Sequence, residues 1–185
     1  MRLFVAVPPP AEQLRALDAA LGVRDESLRW VPPEQWHLTL VFCGEVSPTV
    51  VPELTERLAR GAARTPRFEL NLAAAGSFPR QAARARVLWV GLGGELETLT
   101  RLAERCSAAA RRSGIGVEDR PFRPHLTVAR CGRPTEVTAW VRLLDGYRGP
   151  TWQADRLTLV ASHLGEGPRR RPRYEDVGSF PLGRD

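Results

Sequence analysis

Lysine is absent from this chain of 185 residues, so all 27 of its basic side chains are arginine and its formal net charge of +6 is carried entirely by guanidinium groups. Planar guanidinium forks suit phosphate recognition, and a basic surface concentrates nucleic acid. Composition alone nevertheless accounts for most of these arginines, because Ala, Arg, Gly and Pro are abundant together. Functional weight therefore falls only on arginines near a motif. Long hydrophobic runs are also missing, which excludes a helical membrane span. The apolar run Leu3-Phe4-Val5-Ala6-Val7 is short and is stopped by Pro8-Pro9-Pro10, so it reads as a first strand and not a secretory signal. The expectation is a cytoplasmic protein. Cysteine is scarce: Cys43, Cys106 and Cys131 are an odd set without C-x-x-C spacing, which argues against a disulfide framework or a zinc site.

Histidine is scarcer still in its effect, because two of the three histidines share one context. His37-Leu38-Thr39-Leu40-Val41-Phe42-Cys43-Gly44 returns as His125-Leu126-Thr127-Val128-Ala129-Arg130-Cys131-Gly132. With three histidines and eleven threonines, the odds of two histidines carrying Thr at +2 by composition are roughly 1%. Strand periodicity puts residues i and i+2 on one face. His37 and Thr39 then face one way and Leu38 and Leu40 the other, and the second copy repeats the division. Strict alternation also sets Phe42 and Arg130 on the leucine faces, unless twist or a bulge turns the strand end. It sets Cys43 and Cys131 on the histidine faces, about 20 Å farther along, too distant for a shared centre. Buried small hydrophobe is their expected role.

The order of elements is the same around both motifs. A strand over Arg2–Val7 and a helix over Ala11–Leu21 lead to the Pro32-Pro33 turn and the first motif strand. Ser47-Pro48 then predicts a helix start, with Leu54 and Leu58 one turn apart and Gly61 near its end. Strands are expected over 67–74 and 86–91, with a loop holding Gly76-Ser77-Phe78-Pro79-Arg80. The second half predicts a helix over 95–113 stopped by Gly114, the second motif strand, a weaker helix over 135–144, and strands over 152–162 and 173–180. An offset of 88 residues aligns the two histidines and carries 86–91 onto 174–179. This predicts one α+β domain over 1–185, built as a duplication of about 1–92 and 93–185. Its two antiparallel sheets should line a central cleft across a pseudo-twofold axis, with helices packed outside. Residues 165–172, with Arg169-Arg170-Arg171, read as a mobile basic loop, solvated by default, with a nucleic-acid contact as the alternative.

Paired histidines are the minimum for a displacement at phosphorus in which one oxygen arrives and another leaves. Their unperturbed pKa of about 6.5 suits both base and acid. Thr39 and Thr127 can hydrogen-bond the non-bridging oxygens whose charge grows in the transition state. The scheme calls for no cofactor, and two histidines without a third ligand at metal spacing make no metal site. One His-x-Thr on a strand is usually structural, but two at equivalent places in a duplicated chain point to catalysis. His163 has no such context and is expected to be structural. On geometry Arg123, two residues before His125, shares its face and can reach phosphate.

The doubled motif resembles that of the RNA 2′,3′-cyclic phosphodiesterases of the two-histidine phosphoesterase superfamily, once called 2′–5′ RNA ligases. Further similarity lies in Arg2-Leu3-Phe4-Val5-Ala6-Val7, Arg29-Trp30-Val31-Pro32-Pro33-Glu34, Val87-Leu88-Trp89-Val90-Gly91 and Arg120-Pro121-Phe122-Arg123-Pro124. The resemblance implies a bilobed α+β fold and opening of a terminal 2′,3′-cyclic phosphate to a 2′-phosphomonoester. It implies that His125 activates water and His37 protonates the leaving 3′ oxygen, with Thr39, Thr127 and Arg130 on the phosphate and Phe42 beside the terminal base. The implied partners are RNA ends or nucleotides bearing the cyclic phosphate, and a monomer suffices because both motifs lie on one chain. Other readings are an ADP-ribose 1″,2″-cyclic phosphodiesterase of tRNA splicing, an ATP-independent 2′–5′ RNA ligase, and a nucleotide-binding module without turnover. Intact copies of both motifs argue against the last.

Overall fold

The computed structural model describes residues 1–183, so the last two residues of the expected 93–185 repeat lie outside it. Strands β1 (Arg2–Val7), β2 (Arg29–Trp30) and β3 (Leu38–Glu45) alternate with helix α1 (Ala11–Leu21), and helix α2 (Val51–Ala63) leads to the hairpin β4 (Phe68–Phe78) and β5 (Ala85–Gly94). Helix α3 (Leu96–Arg112), strand β6 (Leu126–Thr135), helix α4 (Thr138–Asp145) and strands β7 (Trp152–Ala154), β8 (Arg156–His163) and β9 (Arg173–Pro181) follow. They form two antiparallel sheets, ordered β3-β1-β8-β9 and β2-β6-β5-β4-β7. The α+β, two-sheet architecture is the one expected.

Helix faces follow the apolar spacing. Leu99, Leu102, Ala103, Cys106 and Ala110 of α3 are all buried, and the chain leaves that helix through Gly114 at φ 79°, a left-handed conformation suited to glycine. Helix α2 packs on α3 and on β8 and β9, while α3 also covers β3 and α4 covers β4. Burial of both faces of β1 explains its run of five consecutive apolar residues. Leu3, Val5 and Val7 join the main core, and Phe4 and Ala6 form a small cluster with Val160 and Tyr174 on the other side of the sheet.

Neither sheet is made from one half of the chain. The first motif strand β3 pairs with β1, and the second, β6, pairs with β5, in matching registers: Ala6 opposite Thr39 and Val7 opposite Leu38, Trp89 opposite Thr127 and Val90 opposite Leu126. After the intervening helix, however, each half sends a strand to the opposite sheet, the first half at once and the second after the short β7, which stays in the sheet of β6. Strand β4 joins β5 beside the second motif, and β8 joins β1 beside the first. The 88-residue offset carries β5 onto β9, yet β5 is central in its sheet whereas β9 is an edge strand paired only with β8. In the first sheet the place of β5 is taken by β1.

Several local boundaries move. Helix α2 begins at Val51, because Ser47 to Val50 first close a turn through Val50 N–H donating to the Ser47 carbonyl at 2.9 Å. Gly76, Ser77 and Phe78 belong to β4 and not to a loop; the Trp89 ring lies over Gly76 so closely that a Cβ there would sit 2.3 Å from it. The run 152–162 is two strands, β7 and β8, on different sheets, a change that continuous apolar alternation hides. The second-half helix starts at Thr138, because β6 runs on to Thr135 and the Glu136 carboxylate then accepts the Thr138 N–H at 2.9 Å.

Candidate active site

A cleft of about 860 Å³ is lined by His37, Thr39, His125, Thr127, Arg130 and Tyr174, so the two motif strands meet at one site although their sheets differ. His125 Nδ1 donates to the Arg123 carbonyl at 2.7 Å, and His37 is hydrogen-bonded to the backbone of Gln35, again two residues earlier. A carbonyl can only accept, so the bond to Arg123 places the proton of His125 on Nδ1 and leaves its Nε2 as the reactive nitrogen. Aromatic rings fix each imidazole. Phe4 stacks on His37 with centroids 4.6 Å apart and Tyr174 meets it edge-on at 5.2 Å, while Phe78 meets His125 edge-on at 5.0 Å with Trp89 tilted at 6.3 Å. Among the described residues neither Thr39 nor Thr127 spends its hydroxyl on a protein partner.

Strict alternation fails within both motifs, and bulges are the reason. Phe4 and Ala6 share a face of β1, yet their partners are Phe42 and Thr39, three residues apart. Val87 and Trp89 share a face of β5, and their partners are Arg130 and Thr127, again three apart. The extra residue in each copy reverses the pleat. Phe42 and Arg130 therefore turn to the histidine face, and Cys43 and Cys131 turn into the core, contrary to the alternating pattern. Burial pushes the Cys43 thiol up to about 11. Arg130 lies on the cleft wall, and its charge reaches both histidines and Tyr174.

Burial and then the Arg130 charge hold His37 down, opposed by the Gln35 bond, at about 4; His125 is lowered by the same causes. Both imidazoles are thus neutral in the ligand-free cleft near pH 7. Tyr174 is raised by burial. Among the described residues no three His, Cys, Asp or Glu side chains gather where they could hold a metal ion.

The remaining sequence-derived candidates are placed as follows. Phe42 is 50% exposed, parallel to Phe4 at 6.2 Å with the Arg2 guanidinium 5.0 Å from its ring, on the flank of the cleft beyond Phe4. Arg123 lends its carbonyl to His125, while its side chain borders a separate depression of about 220 Å³ with Phe78, Arg80 and Trp89. His163 Nε2 pairs with Glu175 at 2.9 Å, away from the cleft lining. Tyr174, Gln35, Arg29 and the arginines of 169–171 were not signalled as site residues. Gln35 was readable from the repeat, since it precedes His37 as Arg123 precedes His125; Tyr174 was not, because β9 reaches the site only through sheet pairing. The 165–172 loop, expected by default to be solvated, forms part of the cleft wall.

Comparison with known proteins gives a consistent result. The family model described as LigT like Phosphoesterase matches residues 5–89 and again 91–169. A protein of Geobacillus stearothermophilus named RNA 2′,3′-cyclic phosphodiesterase is 31% identical over 97% of this chain, which spans 56% of that protein's length. An Escherichia coli protein of the same name is 36% identical over 98% of this chain and 96% of its own. A crystal structure from Thermus thermophilus superposes with a TM-score of 0.79 at 32% identity, covering 98% of both chains.

Proposed function

Because this chain belongs to the LigT-like phosphoesterase family, we propose that its cleft is the active site of an RNA 2′,3′-cyclic phosphodiesterase. The observation that carries the reading is the convergence of two His-x-Thr half-sites on one cleft, each histidine tied to the backbone two residues before it and His125 left with Nε2 for chemistry. His125 Nε2 takes a proton from water as its oxygen attacks phosphorus. The bond from phosphorus to the 3′ oxygen breaks, and His37 Nε2 delivers a proton to that oxygen, leaving a 2′-phosphomonoester and a free 3′ hydroxyl. Thr39, Thr127 and Arg130 hold the non-bridging oxygens as their charge grows.

Free His37 is neutral, so it must gain its proton with the substrate, whose negative charge offsets the burial that lowers it. Phe42 serves the terminal base by stacking. Ligation would put the 5′ hydroxyl of a second RNA in the place of water, its proton going to His125 and the 3′ oxygen taking one from His37; cleavage of the resulting 2′–5′ diester would run these steps backwards with the two histidines exchanging roles. The reading suits a cytoplasmic monomer organised as one domain of two repeats, since both half-sites lie on one chain.

Phosphorus NMR of a short RNA ending in 2′,3′-cyclic phosphate tests this directly. The wild type should give the 2′-phosphate, with or without chelator. His37→Ala and His125→Ala should each cut turnover by at least about 10²-fold. Full activity in either variant, or loss of activity on chelation, refutes the two-histidine scheme.

A further inference from the structure

The cleft does not end at the histidines. It continues along the loop after α1, where Arg29 begins β2, and the loop joining β8 to β9, which adds Arg169, Arg170 and Arg171 to its lining. Its volume of about 860 Å³ lies near the upper end of the ~300–1,000 Å³ of small-ligand sites, more than one nucleotide needs.

Charge is unbalanced along this extension. Arg29 and Arg130 sit directly opposite each other on β2 and β6, a like-charge cross-strand pair that is unfavourable without an anion between. None of Arg29, Arg130, Arg169, Arg170 and Arg171 has a side-chain ion pair among the described residues, whereas Arg24 is paired with Asp18. Of the two acids in the same lining, Asp25 is engaged by Ser27 and Trp140, which leaves Glu26.

The arginine loop is also built and not merely tethered. Gly167 N–H donates to the Arg171 carbonyl at 2.8 Å, Gln35 Nε2 donates to the Pro172 carbonyl at 2.7 Å, and Arg173 pairs with Glu166 at 2.9 Å. Within it Arg169 and Arg170 adopt φ of 55° and 58°. That left-handed conformation is unfavourable for side chains other than glycine, so the loop keeps two arginines where glycine would be easier. Arg171 precedes Tyr174, which packs on His37, by three residues, roughly 10 Å along an extended chain. A single strand presents its next phosphates over that distance.

Resting on the proposed RNA phosphodiesterase reading, we propose that Arg169, Arg170 and Arg171, with Arg29 in the same cleft, bind the phosphodiester groups upstream of the reacting 3′ end. The enzyme then selects oligonucleotide ends over cyclic mononucleotides.

The test compares uridine 2′,3′-cyclic phosphate with a tetrauridylate ending in the same group. The wild type should favour the tetramer at least 10-fold in kcat/KM at low salt, with a steeper fall in salt by about 0.7 per phosphate contact. The variant carrying Arg169→Ala, Arg170→Ala and Arg171→Ala should lose that preference and one to two of those salt increments, with mononucleotide turnover unchanged. Arg29→Gln, on β2, should lose part of the preference without touching the loop. Equal turnover of both substrates by the wild type, or equal losses on both substrates in the variants, overturns the inference. Anisotropy of a labelled tetrauridylate 3′-phosphate separates it from the catalytic reading. Arginine-dependent binding without wild-type turnover of either substrate refutes the catalytic reading and leaves the subsite standing; mononucleotide turnover with arginine-independent binding refutes the subsite alone.

Discussion

His37 should take up a proton when substrate binds, and the size of that uptake follows from the site. In the free cleft burial and Arg130 hold its pKa at about 4, so at pH 5.5 only about 3% of the molecules carry the proton. A cyclic phosphate brings one negative charge to within hydrogen-bonding range of Nε2. At about 4 Å and an effective dielectric of about 20 the attraction is about 4 kcal/mol, or about three pKa units. The cleft is open to solvent, and halving the effect leaves about 1.5 units, which places bound His37 between about 5.5 and about 7. Uptake at pH 5.5 is then roughly 0.5 to 0.95 proton per ligand. Calorimetric titration of His125→Ala with uridine 2′,3′-cyclic phosphate, in two buffers of different ionisation enthalpy, measures it without turnover. The diester keeps one charge throughout this range, so the signal belongs to the protein. Tight binding with less than about 0.2 proton taken up would refute the placement of His37 against the phosphate.

Replacing Thr39 or Thr127 with Val removes a hydroxyl that has no partner in the free protein, so thermal stability should hold while kcat falls about 10- to 100-fold, the worth of a hydrogen bond to a charged oxygen; a loss under 3-fold in both variants rules out their phosphate role. The same depressed His37 pKa links to stability. Its folded value of about 4 lies below the unfolded value of 6.5, so between those values the unfolded state binds more protons and stability falls as pH falls through the window, by up to about 3 kcal/mol, and levels off below pH 4. Urea unfolding at pH 7 and 4.5 should show a smaller pH-induced loss in His37→Gln than in the wild type; equal losses show that His37 is not buried in the way described.

Much of the architecture was legible because local spacing reports burial. Ala11–Leu21 was placed residue for residue, and the buried face of α3 followed from Leu99, Leu102, Ala103 and Cys106. The repeat aligned His37 with His125 and Thr39 with Thr127, and all four line one cleft. What failed was the two-residue period beyond Leu40 and Val128, at Phe42, Arg130, Cys43 and Cys131. The adjacent core residues Leu40-Val41 and Val128-Ala129 are the only trace of the bulges, and a pair of apolar neighbours does not say which strand edge will slip. The sheet change at Asp155 was hidden in the same way.

By itself the sequence determined that two matching His-x-Thr segments exist, on strands with one apolar face, because that information lies within eight residues of each histidine. Only the tertiary structure decided which other side chains share the cleft. Arg130 and Phe42 turn toward it through bulges forced by pairing with β5 and β1, Tyr174 arrives from an edge strand, and Arg169, Arg170 and Arg171 arrive on the loop before that strand. The crossing of β4 and β8 to opposite sheets ties the two half-sites into one body. These placements depend on contacts between residues far apart in the chain, from Phe4 with Phe42 to Gln35 with Pro172, and no local period carries that information.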